Sequence, residues 1–284
     1  RHIFVESIKL TDLALGDFLF RFQDASESQR IDMFRDWLNY SYVWDRILRQ
    51  PDFLHIKSAV SIQYNHFLYI LPVMLDIQPS LLEVEKERLQ QLLQPIKFNK
   101  EFPQNILAYQ YGMYEAQLRR SRIDFLPMIQ PNFVRNQYAK QANIAEIELL
   151  TYHEQGVLPE NTSSIMRTQT FDPLPGDGIV WASVKWIYNP VGRQIVNAMN
   201  MSSHFRQILA IDFILNNSLK RMLTVVLKIK REDIEKDKIK DYIKTLPQDL
   251  RYPIKGQPLN YNRQGNYFYH SPSRLSNYRR VLPF

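Results

Sequence analysis

Cysteine is absent from this 284-residue chain. That excludes disulfides, thiolate zinc sites, iron–sulfur clusters and cysteine nucleophiles. It also suits an oxidising compartment, where a stray thiol is a liability. Glycine is scarce, with 8 residues, which argues against an all-β protein rich in tight turns. Long apolar runs are missing too. No window reaches ~18 apolar residues without a charge, so no segment of the sequence reads as a membrane-spanning helix. The chain opens Arg1-His2-Ile3 without methionine. We therefore expect a signal peptide, a membrane anchor or a tag upstream of it.

What is present points to a folded, mostly helical protein. Hydrophobic residues make up 45% and aromatics 13%, too apolar for disorder. The length permits a sizeable core in one or two domains. The net charge of +7 is unevenly spread. Residues 218–284 hold 15 Lys/Arg against 6 Asp/Glu, or +9; the other 217 residues hold 21 against 23, or −2. A basic end can face an acidic partner, anionic lipid or nucleic acid, or simply water.

Apolar spacing of three and four residues marks helix after helix. We expect helices over 10–22 and 28–49, where Ile31, Phe34, Leu38, Ser41 and Asp45 share a face. Another runs from Asp52 to about Leu71, broken or kinked at Pro72, which lacks an N–H. Ser80-Leu81-Leu82-Glu83 has the form of a capping box at the head of a helix that stops before Pro95. Further helices are expected over 103–120, 132–152 and 179–188. The strongest signal is a helix over 205–229, carrying Phe205, Ile208, Ile211, Leu215, Leu219, Met222, Val226 and Ile229. Its polar flank includes Arg206, Asn216, Lys220 and Lys230. A shorter helix starts near Asp233 and ends at Pro247. Alternation of Leu259, Tyr261, Tyr267 and Tyr269 around Gly265 reads as a hairpin, 258–261 and 266–270, that docks on the long helix. The expected fold class is thus mainly α: a multi-helix array or bundle with a small C-terminal antiparallel β-hairpin. The expected division is a helical region 1–155, a Pro/Gly loop 156–178 and a helical region with hairpin 179–284.

No local pattern signals catalysis, a metal or a cofactor. His55 and His66 lie eleven residues apart, ~16 Å along a helix, too far to share one ion. Glu83, Glu85 and Glu87 alternate and do not face one another on a helix. Ser163 and Ser164 lack a nucleophile elbow, and Pro175-Gly176-Asp177-Gly178 is a turn rather than a phosphate loop. Basic residues interleave with aromatics at the C-terminal end. Tyr261, Arg263, Tyr267, Tyr269, Arg274, Tyr278, Arg279 and Arg280 are the candidate contact residues, because exposed Tyr and Arg suit interface hot spots. The same mixture would serve single-stranded nucleic acid, but no nucleic-acid motif accompanies it.

The block from Asn189-Pro190-Val191-Gly192-Arg193 through Leu246-Pro247-Gln248-Asp249 ends in Gly256-Gln257-Pro258-Leu259-Asn260-Tyr261 and Tyr267-Phe268-Tyr269-His270-Ser271. It resembles uncharacterised, mostly helical, membrane-anchored envelope proteins of Gram-negative bacteria with a C-terminal pseudopilin-like hairpin. Gln130-Pro131-Asn132 extends the likeness upstream. Leu250-Arg251-Tyr252-Pro253 departs from that group's Asp-Pro-Phe turn, and no Gly/Asp-rich tail follows Ser271. The resemblance implies a periplasmic location, with the protein anchored to the inner membrane by an N-terminal segment outside this chain. It implies a non-catalytic accessory or scaffold subunit of an envelope or membrane complex, with protein partners, anionic lipid contact and no cofactor. A cell-wall or lipid-directed hydrolase whose site assembles only in three dimensions is the first alternative. A basic nucleic-acid-binding module is the second.

Overall fold

A computed structural model describes residues 14–50, 54–97, 112, 201–270 and 281–284 of the chain. The chain divides into two compact units: residues 1–98, 156–158 and 211–284 form the first, and 99–155 with 159–210 the second. Of the second unit, only Gly112 and residues 201–210 are described. The helices expected over 103–120, 132–152 and 179–188 lie outside the described residues, as does the loop 156–178.

Helix dominates the first unit. Helix α1 covers residues 14–24 and α2 covers Glu27–Arg49. Ser26 caps α2: its Oγ accepts from the Gln29 amide, and Gln29 Oε1 accepts from the Ser26 amide at 2.9 Å. Each bond satisfies a backbone donor that a helix start would leave unpaired. Arg30 donates to the Phe22 and Gln23 carbonyls at 2.9 and 2.7 Å, which fixes the corner between α1 and α2. The buried face of α2 holds Phe34, Trp37, Leu38, Ser41, Asp45 and Leu48.

Helices α3 (Leu54–Tyr69) and α4 (Leu71–Ile77) meet at Ile70, with Pro72 in the first turn of α4. The expected break falls there because proline tolerates only a helix's first turn. Trp37 Nε1 donates to the Phe67 carbonyl at 3.0 Å and ties α2 to α3.

The expected capping box at Ser80 does not form. Ser80 itself has helical backbone, and its Oγ accepts from Gln78 Nε2 at 3.2 Å instead. One turn, α5 (Leu81–Val84), ends at Glu85, and α6 (Lys86–Leu92) follows. Glu85 leaves helical geometry and pairs with Arg35 of α2 at 3.0 Å and Arg88 at 3.5 Å. A tertiary ion pair thus sits at the break in what reads as one helix.

The long helix α7 spans Met201–Arg231. Phe213, Ile214, Leu215, Leu219, Met222, Leu223, Val225, Val226 and Ile229 are all buried. Such residues cover more than half of the helix circumference, so this part of α7 is a central element of the core. Full burial of each stabilises by about 1.5–3 kcal/mol before entropy is counted. Asn216 and Lys220 stand on the expected polar flank, yet they are 1% and 0% exposed. Asp233 does not start the next helix. It lies past the end of α7 at φ 49°, and the Ile234 amide reaches back to the Ile229 carbonyl at 3.0 Å. That is a Schellman stop, with Asp in the left-handed position usually given to glycine.

Two short helices follow, α8 (Ile239–Thr245) and α9 (Gln248–Arg251), separated by Pro247. The hairpin is strands β1 (Leu259–Asn262) and β2 (Tyr267–His270), antiparallel with Tyr261 opposite Phe268. A third strand, β3 (Val281–Pro283), pairs antiparallel with β2 and completes the order β1-β2-β3. Gly265 leaves room in the turn for the Tyr267 ring, since a Cβ there would lie 2.3 Å from it and the ring would have to move. Leu259, Tyr261, Phe268, His270 and Leu282 are buried, the period-two pattern of a sheet with one face inward.

Candidate interaction surface

The candidate contact residues separate once the sheet is formed. Tyr261 points inward and is 3% exposed. Its ring lies 5.1 Å from that of Phe268, and its hydroxyl donates to Asn266 Oδ1 at 2.7 Å. Burial raises its pKa. Tyr261 therefore belongs to the core beneath the sheet, not to the exposed surface. Tyr267 and Tyr269 stand on the opposite face, half-buried, with ring centroids 5.7 Å apart. Arg263 is exposed in the turn and pairs with Asp237 at 2.6 Å. At that exposure the pair is worth ~1 kcal/mol or less. Arg274, Tyr278, Arg279 and Arg280 lie outside the described residues.

A groove of ≈ 340 Å³ opens where α8 and α9 meet β1 and β2. Its walls include Lys240, Lys244, Arg251, Tyr252 and Tyr269. Lys244 is paired with Asp241 at 2.7 Å. Lys240 has no ion-pair or hydrogen-bond partner for its ammonium among the described residues. Arg251 donates through one terminal nitrogen to the Leu246 carbonyl at 2.8 Å, while its Nε is buried without an acceptor. The Tyr252 ring is 37% exposed. Cations and aromatic faces around a concave surface accept a carboxylate or phosphate attached to an apolar body. Lys240, Lys244, Arg251 and Tyr252 are not among the candidate contact residues expected from the sequence, where Arg251 and Tyr252 stand out only as a departure from the resembled turn.

Three contacts hold the sheet on α7. Ser218 Oγ and His270 Nε2 lie 2.5 Å apart, both buried. Arg221 donates to the Pro253 carbonyl at 2.8 Å. Lys230 Nζ sits 5.1 Å from the Phe284 ring centroid. His270 Nδ1 is buried with no partner. Protonating the ring would put a charge there without solvent, so burial lowers its pKa to about 4.

Deeper in the core, charged groups converge on Asp45. Lys220 Nζ approaches Asp45 Oδ1 at 2.5 Å, the Tyr64 hydroxyl donates to the same oxygen at 3.2 Å, and Arg49 Nε donates to Oδ2 at 2.6 Å. Lys220 and Arg49 also donate to the Gln94 carbonyl, each at 3.2 Å. Lys220 Nζ lies 5.3 Å from the Tyr64 ring centroid. Burial lowers the Lys220 pKa to about 8, so the cost of desolvation exceeds the attraction of Asp45. Burial and then the Asp45 charge raise the Tyr64 pKa well above its ordinary value. Neither this cluster nor the Ser218–His270 pair lines the sheet groove. Among the described residues, no group of three His, Asp or Glu side chains is placed to hold a metal ion. No helix among them is long and apolar enough to cross a membrane.

Comparison with protein-family models, with curated proteins and with solved structures finds no match to this chain.

The His270 environment gives a signed pH dependence. Its folded pKa of about 4 lies below the ordinary 6.5. The unfolded chain therefore takes up the proton first as pH falls. The His270 contribution is intact above pH 6.5 and is lost through the window down to pH 4. The loss reaches about 3 kcal/mol at pH 4, from 1.36 kcal/mol per pKa unit. Urea midpoints from pH 7.5 to 4 should show a steeper fall for the native chain than for His270→Asn. Equal slopes would contradict the assignment.

Proposed function

We propose that the chain is a non-catalytic envelope protein of the bacterial inner membrane's periplasmic face, acting as an accessory or scaffold subunit that binds a partner protein through its C-terminal sheet. The absence of cysteine and the resemblance of 189–271 to anchored envelope proteins support the compartment and an N-terminal anchor. The observation that carries the binding reading is the sheet groove. It brings together a Lys240 without a partner among the described residues, the Arg251 guanidinium and an exposed Tyr252 in one concavity. An acidic side chain with an adjoining apolar residue fills it: carboxylate to Lys240 and Arg251, apolar group on Tyr252.

One observation favours the hydrolase alternative: a serine hydroxyl 2.5 Å from a histidine ring nitrogen. A nucleophile needs a base that is itself oriented by a third group and open to substrate. Here Nδ1 faces no acceptor, and both residues are at most 2% exposed. The pair accounts for itself as a buried hydrogen bond joining β2 to α7. Incubation with a fluorophosphonate should leave Ser218 unlabelled; stoichiometric labelling at Ser218 would establish the hydrolase.

Affinity capture from detergent-solubilised membranes tests the binding reading. The native chain should retain a stoichiometric protein partner. Lys240→Glu and Tyr252→Ala should each weaken retention by about tenfold or more, the range of a single hot-spot loss. A native chain that retains no stoichiometric partner, or variants that retain it equally, would contradict the reading.

A further inference from the structure

A second groove, of ≈ 380 Å³, runs between the α5–α6 segment and α7. Its floor is apolar, built from Leu89, Leu93, Leu227 and Leu250. Its α7 wall carries Arg221, Lys228 and Arg231, spread over ten residues, or about 15 Å of helix. Lys86 stands on the facing wall. Two acids also line the groove, Glu83 and Asp249. Glu83 is already matched by Lys86 at 3.4 Å and Arg231 at 3.7 Å. Four cations against two acids leave an excess of two positive charges. Lys228 has no partner for its ammonium among the described residues, and Arg221 gives one guanidinium donor to the Pro253 carbonyl at 2.8 Å.

We propose that this groove docks an amphipathic helix of a partner protein, with acidic residues beside its apolar stripe. Two α-helices with an apolar trough between them accept a third helix, whose side chains at i, i+3, i+4 and i+7 fill the trough. The spacing of the cations decides the class of occupant. An anionic lipid presents one headgroup and calls for cations gathered at one end. Arg221, Lys228 and Arg231 instead follow the length of α7, matching carboxylates repeated every one or two turns of a bound helix. Partial desolvation strengthens each such pair relative to the open surface. The groove shares no lining residue with the one under the sheet, so the two sites succeed or fail separately.

The test uses the full chain against a displayed random library of roughly 16-residue peptides, long enough for about four helical turns. Enriched peptides are titrated by fluorescence anisotropy. They should place Leu, Ile or Phe at helical spacing with flanking Asp or Glu. The Lys228→Glu/Arg231→Glu double variant should weaken them by about tenfold or more. Thr224→Trp, which fills the groove without changing charge, should do the same, and Lys236→Glu, at a position lining neither groove, should change nothing. Enriched peptides without acidic residues, equal binding to all variants, or no enrichment would overturn the proposal. Displacement of the peptide by equimolar dodecanoate would overturn it in favour of a lipid chain.

Discussion

A carboxylate 5% exposed to solvent, Asp45, is the point on which the described unit turns. Its three side-chain donors come from three places in the chain: Arg49 on the same helix, Tyr64 on α3 and Lys220 on α7, 175 residues away. Burial on this scale costs several kcal/mol per ion, and mutual attraction repays it only when the geometry is nearly complete. The lowered Lys220 pKa records that the cost is not fully repaid. What the cluster provides is register. Asn216 donates to Asn65 at 3.0 Å, and Asn217 brackets Ile96 by accepting from its amide at 2.7 Å and donating to its carbonyl at 2.9 Å. Sliding α7 by one residue would break all three connections and leave Lys220 unpaired among apolar side chains. Hydrophobic contact alone, which is non-directional, would tolerate such a slip.

With α7 placed, the C-terminal sheet has a base. Ser218, Arg221 and Lys230 lie on the segment that the cluster positions, and each makes one anchor to the sheet or to the turn before it. The sheet buries Tyr261 and Phe268 against Phe284 and turns Tyr267 and Tyr269 outward. Six of the fifteen Lys/Arg in residues 218–284 line two separate concavities, one beneath the sheet and one along α7. Concave, cation-rimmed, partly apolar surfaces are what the proposed scaffold role would use.

The fold class was legible in the sequence because its signals are periodic. Three-and-four spacing in α2 and α7, alternation in the hairpin and the break at Pro72 are local properties that survive in the structure. Features set by tertiary pairing were not legible. Ser80 had the right neighbours for a capping box but is itself helical, and Glu85 pairs with Arg35, fifty residues away in sequence. The strand at Val281–Pro283 is three residues long and ends in proline, too short to show a period. Lys220 and Asn216 read as a solvated flank because an isolated helix has one. Packing of α2, α3 and the segment at Gln94 over that flank removed the solvent. Of the cluster only Asp45 was legible, on a stripe with Phe34 and Leu38, and its buried cation was not. Which lysine supplies it is a matter of three dimensions. For the candidate contact residues the orientation was not legible, since alternation does not say whether Tyr261 or Tyr269 faces the core.

The register that Asp45 and Lys220 set is tested most directly by a double-mutant cycle on the two residues, read as unfolding free energy in urea. Asp45→Asn strands a buried lysine and should cost about 3–5 kcal/mol. Lys220→Met leaves Asp45 its two other donors and should cost markedly less. Combining them removes the stranded charge, so the double variant should be more stable than Asp45→Asn alone by more than about 1 kcal/mol. A double variant whose loss equals the sum of the two single losses would show that the ions act independently, and the account of the core given above would fail.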